Sequence, residues 1–183
     1  NGKVRAIPGE GTDVPIYILG SSTDSAHLAA ALGLPYVFAS HFAPQQLMAA
    51  VRIYREKFNP SKQLDEPYFM PCVNIVAAET DEEAEFLSTS MLQMFTGVVT
   101  GDRRPMPPPV KDMSGVWSPQ LRMAVQQMLS CSFFGSKATI RKELDEFLEQ
   151  TGADEIMITS YVYDHEKRLE SHRLFAELMR GDG

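Results

Sequence analysis

The sequence predicts a parallel α/β fold. Four short apolar runs, at 14–19, 36–40, 68–78 and 156–161, have the continuous hydrophobic character of strands buried on both faces. Helical periodicity follows each run, and no hairpin signal joins any two of them, so the strands are expected to run in one direction with helical crossovers. With 183 residues and 44% hydrophobic composition there is apolar material for one substantial core, so a single domain over 1–183 is expected.

Taken in order, residues 1–13 (NGKVRAIPGEGTD) are rich in glycine and charge and read as an entry loop into the first strand, 14–19 (VPIYIL). There is no initiator Met, and the expectation is a chain joined in its middle. Gly20 ends the strand. Ser21, Ser22, Thr23, Asp24 and Ser25 then crowd hydroxyls and cap formers onto the turn before a helix at 26–32, which Gly33 closes. The first amides of a helix lack intrahelical partners and sit at the positive end of its dipole. Serine and threonine hydroxyls add donors, so this junction suits a phosphate without lysine or arginine. The same residues are the commonest caps of helices that bind nothing, and that alternative stays open.

The second strand, 36–40 (YVFAS), leads to a helix at 44–58 with Pro44 at its start and Pro60 beyond its end. The third, 68–78 (YFMPCVNIVAA), carries an irregularity at Pro71. Thr80 caps the helix 80–95, whose acidic first turn complements the dipole. From 97 to 119 the pattern breaks, because Pro105, Pro107, Pro108 and Pro109, with Gly101 and Gly115, forbid regular structure. A loop of that length is a candidate lid or binding segment, with disorder the competing reading. Periodicity resumes at 121–129, Gly135 and Ser136 open a helix at 137–150, and 156–161 is the fourth strand. A helix at 166–179 closes the fold, and 181–183 is expected to fray.

Charge and composition exclude several classes. A net charge of −7 and a pI near 5.1 disfavour nucleic acid and anionic membrane as partners, since both reward a basic surface. The two cysteines, Cys72 and Cys131, lie in or beside apolar runs, a usage typical of reduced intracellular proteins, and no run reaches a membrane span of about 20 residues. A cytoplasmic location is expected. No HxxxH, CxxC or carboxylate cluster suggests a metal, and GSS is not the G-x-S-x-G elbow of a serine hydrolase.

The order GSSTDSAHLAAALGLPYVFASHFAP, 20–44, resembles the bacterial luciferase-like family of flavin-dependent monooxygenases. The likeness continues more loosely through FFGSKATIRKELDEFLEQTGADEIMITSYVYD, 133–164. That family is built on the (β/α)8 barrel, so the resemblance implies the C-terminal half of a TIM barrel, strands five to eight with their helices. An open doubly wound sheet is the alternative that the residues themselves leave.

The resemblance also implies FMN, supplied reduced by a flavin reductase, with O2 and a small organic molecule as substrates. Gly20, Ser21, Ser22 and Ser25 match the loop that holds the FMN phosphate, although luciferase carries an acidic residue at Ser21 and a threonine at Ser25. His41 stands where luciferase has a tryptophan near the flavin ring. Phe42, Tyr161 and Tyr163, at strand ends, are the substrate-pocket candidates. A backbone-bonded histidine and ordinarily packed tyrosines are the plain alternatives. The family's catalytic histidine belongs to the other half of the barrel, so no catalytic residue is assigned and the isolated chain is expected to be inactive. A flavin- or phosphate-ligand-binding module without catalysis is the second reading. Two open strand edges make a homo-oligomer the expected state.

Overall fold

Nine consecutive buried residues make β3 (Phe69–Ala77) the centre of the sheet. Phe69 to Pro71 pair with β2 (Tyr36–Phe38), Cys72 to Asn74 with β5 (Met157–Thr159), and Asn74 to Ala77 with β4 (Ser132–Gly135). β1 (Ile18–Gly20) pairs with β2, and every pairing is parallel. The computed structural model describes Arg5 and residues 7–181, so the expectations for 1–13 and 181–183 lie partly outside the described residues.

Register fixes which side chains share a face. Ile18, Tyr36 and Phe69 form one row, and Val73, Ile75, Phe133 and Ile158 follow it on the same face. They pack against Ala26, Ala29 and Ala30 of α1 (Thr23–Leu32) and against Leu47, Ala50 and Tyr54 of α2 (Leu47–Glu56). On the same face lie Ile140 and Leu144 of a helix at Lys137–Thr151 and Leu174 and Phe175 of another at His165–Arg180. Two further helices, α3 (Asp81–Thr100) and α4 (Pro119–Met128), precede these in the chain, which are therefore α5 and α6.

The opposite, inner face carries two apolar rows, Leu19 with Val37 and Met70, and next to it Cys72 with Met157. Above them runs a polar row of Asn74, Ser132 and Thr159, and then Val76 with Phe134. α3 and α4 lean over the carboxyl end of this face. There Val76, Ala78 and Phe134 meet Ala84 and Leu87, while Phe134 and Tyr161 meet Met91, Phe95, Val125 and Leu129. Four helices on one face, with the other left to strand side chains and a cover at the carboxyl end, is the plan of a barrel wall. A doubly wound sheet takes helices along both faces. The chain is a half barrel.

Three expectations need correction. The sheet has five strands rather than four. β4 is only four residues long, is preceded by Ser130 and Cys131 and runs straight into the Gly135–Ser136 helix start, so its apolar signal is two phenylalanines. The run at 14–19 is not buried on both faces, since Val14, Ile16 and Leu19 are 70%, 58% and 67% exposed. The strand is Ile18–Gly20, at the sheet's edge beside β2, and its inner-face residue, Leu19, is left open. The irregular stretch starts at Gly101, not Gly97, because α3 continues to Thr100. Gly97 costs helix propensity, but a Cβ there would lie 2.5 Å from the Asp102 carbonyl oxygen, so glycine lets the chain fold back against the last turn.

Candidate functional site

The start of α1 is built by Gly20, Ser22, Ser25 and Tyr36. Ser22 is the N-cap, in extended conformation, and its side chain makes no capping bond. Ser25 Oγ donates to the Ser22 carbonyl (2.7 Å), and the Tyr36 hydroxyl shares its proton between Ser25 Oγ (3.0 Å) and that carbonyl (3.2 Å). A Cβ on Gly20 would fall 2.0 Å from Ser25 Oγ, so only glycine lets β1 turn this closely into the helix. Burial raises the Tyr36 phenol above its ordinary range, the Ser25 bond opposing. The phenol is therefore a neutral donor near pH 7.

The amides of this turn are held lightly. Thr23 N–H donates to Gln46 Oε1 at 3.0 Å, a neutral carboxamide from the 3-10 turn Pro44–Gln46 that precedes α2. Four other helix starts, those of α3, α4, α5 and α6, are closed by the chain's own groups. Thr80, Ser118 and Asp164 accept from Glu83, Leu121 and Lys167 amides at α3, α4 and α6. At α5 the Asp81 carboxylate takes the Ser136 amide (2.7 Å) and the Thr139 hydroxyl (2.9 Å). The site that most resembles α1 in composition thus already contains an anion, supplied by Asp81. α1 combines an unused cap hydroxyl, a neutral plug and an exposed Ser21.

A second group of residues gathers at the carboxyl end of β2. His41 is half-buried, its ring meets Phe42 edge-on at 4.6 Å, and its Nδ1 is buried without a hydrogen-bond partner. Burial lowers its pKa, so the imidazole is neutral near pH 7. The His41 carbonyl accepts from Asn74 Nδ2 at 2.6 Å. Residues 41–46 therefore run between two carboxamides, Asn74 at one end and Gln46 at the other, and link the inner polar row to the α1 start.

The remaining candidates divide. Tyr161 is half-buried, packs edge-on to Phe95 at 5.8 Å under α3, and has its phenol pKa raised by burial. Tyr163 and Phe42 are exposed, at 51% and 44%. Tyr36, Gln46 and Asn74 were not singled out from sequence, because each reads locally as part of an apolar strand or a helix start. The one signal was Asn74, the single amide inside FMPCVNIVA. Both cysteine thiols are buried and pushed up to about 11 by that burial, which makes them poor nucleophiles. Among the described residues no group of His, Cys, Asp or Glu is placed to hold a metal, and no helix is long and apolar enough to cross a membrane.

Comparison with known proteins gives these positions a context. The family model for luciferase-like monooxygenases matches residues 2–155. A luciferase-like monooxygenase of Escherichia coli (strain K12) is 48% identical over 174 residues, 95% of this chain and 52% of that protein. The uncharacterized protein YvbT of Bacillus subtilis (strain 168) is 45% identical over 97% of this chain and 53% of its own length. Among solved structures, apo-MsnO8 superposes with a TM-score of 0.78 at 28% identity, over 97% of this chain and 54% of that one. The chain spans about half the length of the curated relatives it matches, as a half barrel does.

Proposed function

The chain belongs to the luciferase-like monooxygenase family, and from that premise we propose that it is the phosphate-anchoring half of a flavin-dependent monooxygenase acting on a small organic substrate. The observation that carries the reading is the α1 start, where the Ser22 hydroxyl makes no capping bond and the Thr23 amide rests on neutral Gln46. Exchanging a carboxamide acceptor for a phosphate oxygen turns a neutral hydrogen bond into a charge-assisted one at the positive end of a helix. Ser21 and Ser22 supply amide and hydroxyl donors, Gly20 permits the close approach, and Ser25 with Tyr36 holds the Ser22 carbonyl away from the anion. Asp24, exposed in the same turn, opposes a second negative charge. FMN fits these residues, since it brings a single phosphate on a tether, which hydroxyl and amide donors at a helix start can hold.

When bound, reduced FMN delivered by a flavin reductase supplies the electrons for reaction with O2. The chain's own residues bind and orient. His41, as a neutral ring with a free Nδ1, and Phe42 line the ring-binding end. Tyr161 bounds the substrate side, with Tyr163 at its rim. The 101–118 segment is tied to α3 by Val110 N–H to Thr89 Oγ1 (2.9 Å) and by Gln93 Nε2 to the Pro108 carbonyl (3.0 Å), and it serves as a lid that limits water entry. Catalysis requires the other half of the barrel, so the chain alone is expected to bind flavin without turnover. A non-catalytic flavin-binding module has the same anchor and is told apart by activity once that half is supplied.

Replacing Ser22 and Ser25 together by alanine should weaken FMN binding by about 1–3 kcal/mol, the range for charge-assisted hydrogen bonds. Unchanged affinity in a fluorescence titration would overturn the assignment.

A further inference from the structure

Asn74 is fully buried in the middle of a strand whose other residues are apolar or Pro71. A carboxamide in such a place destabilises the fold unless its groups are bonded. Here Nδ2 donates to the His41 carbonyl (2.6 Å) and to Ser132 Oγ (2.9 Å), and Oδ1 accepts from Thr159 Oγ1 (2.7 Å). The amide orientation is unambiguous, because a carbonyl oxygen can only accept and Nδ2 must face His41. One side chain thereby ties together the end of β2, the start of β4 and the end of β5.

The bond to His41 does what the backbone no longer does. The β2–β3 ladder ends at the Phe38–Pro71 pair. Beyond it the chain turns, with Ser40 N–H on the Phe38 carbonyl and Ala43 N–H on the Ala39 carbonyl. Two side-chain bonds take over the ladder's role, Ser40 Oγ to the Cys72 carbonyl (2.6 Å) and Asn74 Nδ2 to the His41 carbonyl. His41 is thus freed from strand geometry yet fixed to β3, with a buried Nδ1 that makes no hydrogen bond among the described residues.

We propose that Asn74 is a positioning residue that sets the His41 backbone, and through it the half-buried imidazole ring, against the bound heteroaromatic ring. The second half of that statement rests on the flavin reading; the first does not. Replacing Asn74 by Asp keeps the shape and, at a pH above the new carboxyl's raised pKa, removes both donors, and Ser132→Ala with Thr159→Val removes the other two partners but leaves the His41 bond.

The experiment records the His41 imidazole 15N and 13C–1H signals in the whole chain, with and without FMN, in wild type and both variants, alongside thermal midpoints. Asn74→Asp should shift the free-state His41 ring signals and raise the FMN dissociation constant about 5- to 10-fold, while the Ser132/Thr159 variant leaves the ring signals in place even where its midpoint falls. Unmoved ring signals in folded Asn74→Asp, or equal movement in the Ser132/Thr159 variant, overturn the proposal. Should Asn74→Asp not fold, wild type decides. FMN must then move the His41 ring and the Asn74 side-chain amide together, and movement of the ring alone overturns the coupling. If FMN binds to no form, the flavin reading fails, while the ligand-free ring signals still test the positioning claim.

Discussion

The hydroxyls of Ser25 and Tyr36 stand 3.0 Å apart and converge on one acceptor, the Ser22 carbonyl. This places a residue of the hydroxyl-rich turn under the control of a strand 11 residues away. Ser25 serves the shape of the turn, and Ser22 is the residue with a hydroxyl to offer. Tyr36→Phe should therefore cost about 1 kcal/mol of stability, one net hydrogen bond, while the surrounding ring packing with Phe38, Tyr54 and Phe69 survives. Chemical denaturation checks this, and FMN affinity should fall less than in Ser22→Ala.

The Asp81 clamp on α5 predicts a pH dependence. The Ser136 backbone N–H, then the Ser136 and Thr139 hydroxyls, hold the Asp81 carboxyl below its usual range. With the folded-state pKa depressed, the clamp is fully effective above the unfolded value, about 3.9. It is lost as pH falls from there through the folded value. The thermal midpoint of the wild type should drop more steeply than that of Asp81→Asn between about pH 5 and pH 2. Parallel curves contradict the clamp.

Amide exchange tests the 101–118 segment. Its irregular backbone is expected to exchange quickly without ligand, with the Val110 amide the most protected, since it is bonded to Thr89 in the buried part of α3, whereas the Ser114 and Val116 amides are held only by local turn bonds to Asp112 and Met113. Uniform protection across the segment contradicts a mobile lid, and an unprotected Val110 contradicts the strap.

How far the sequence reaches can be read from these same residues. The parallel order and the β1–α1 junction are legible because they depend on local pattern, namely apolar runs, punctuating glycines and cap formers. Ser22 is found this way. Tyr36 and Asn74 are not, because their roles depend on which strands lie beside them, and β2 and β3 become neighbours only in the sheet. The exposure of Val14, Ile16 and Leu19 is also invisible locally, since an edge strand and a central one have the same composition until the sheet's limits are known. β4 escaped because four residues are too few for a period to register.

Edges carry a further expectation. Among the described residues β1 pairs only with β2 and β5 only with β3, and the inner apolar rows end at Leu19 on one edge and Met157 on the other, 67% and 47% exposed. A two-fold axis parallel to the strands would set β1 of one copy beside β5 of another and close both inner faces. Light scattering at micromolar concentration should find a dimer. A monodisperse monomer that binds no hydrophobic dye contradicts it.

The central claim is that the start of α1 anchors a flavin phosphate, and the most direct test compares FMN with riboflavin, which lacks that phosphate. Titrated into the 15N-labelled chain, FMN should move the amides of Ser21, Ser22, Thr23 and Ser25 together with the Gln46 side-chain amide, as Thr23 exchanges its acceptor. Riboflavin should leave them in place. If FMN binds and moves these signals no more than riboflavin does, the α1 start is only a helix cap and the phosphate lies elsewhere.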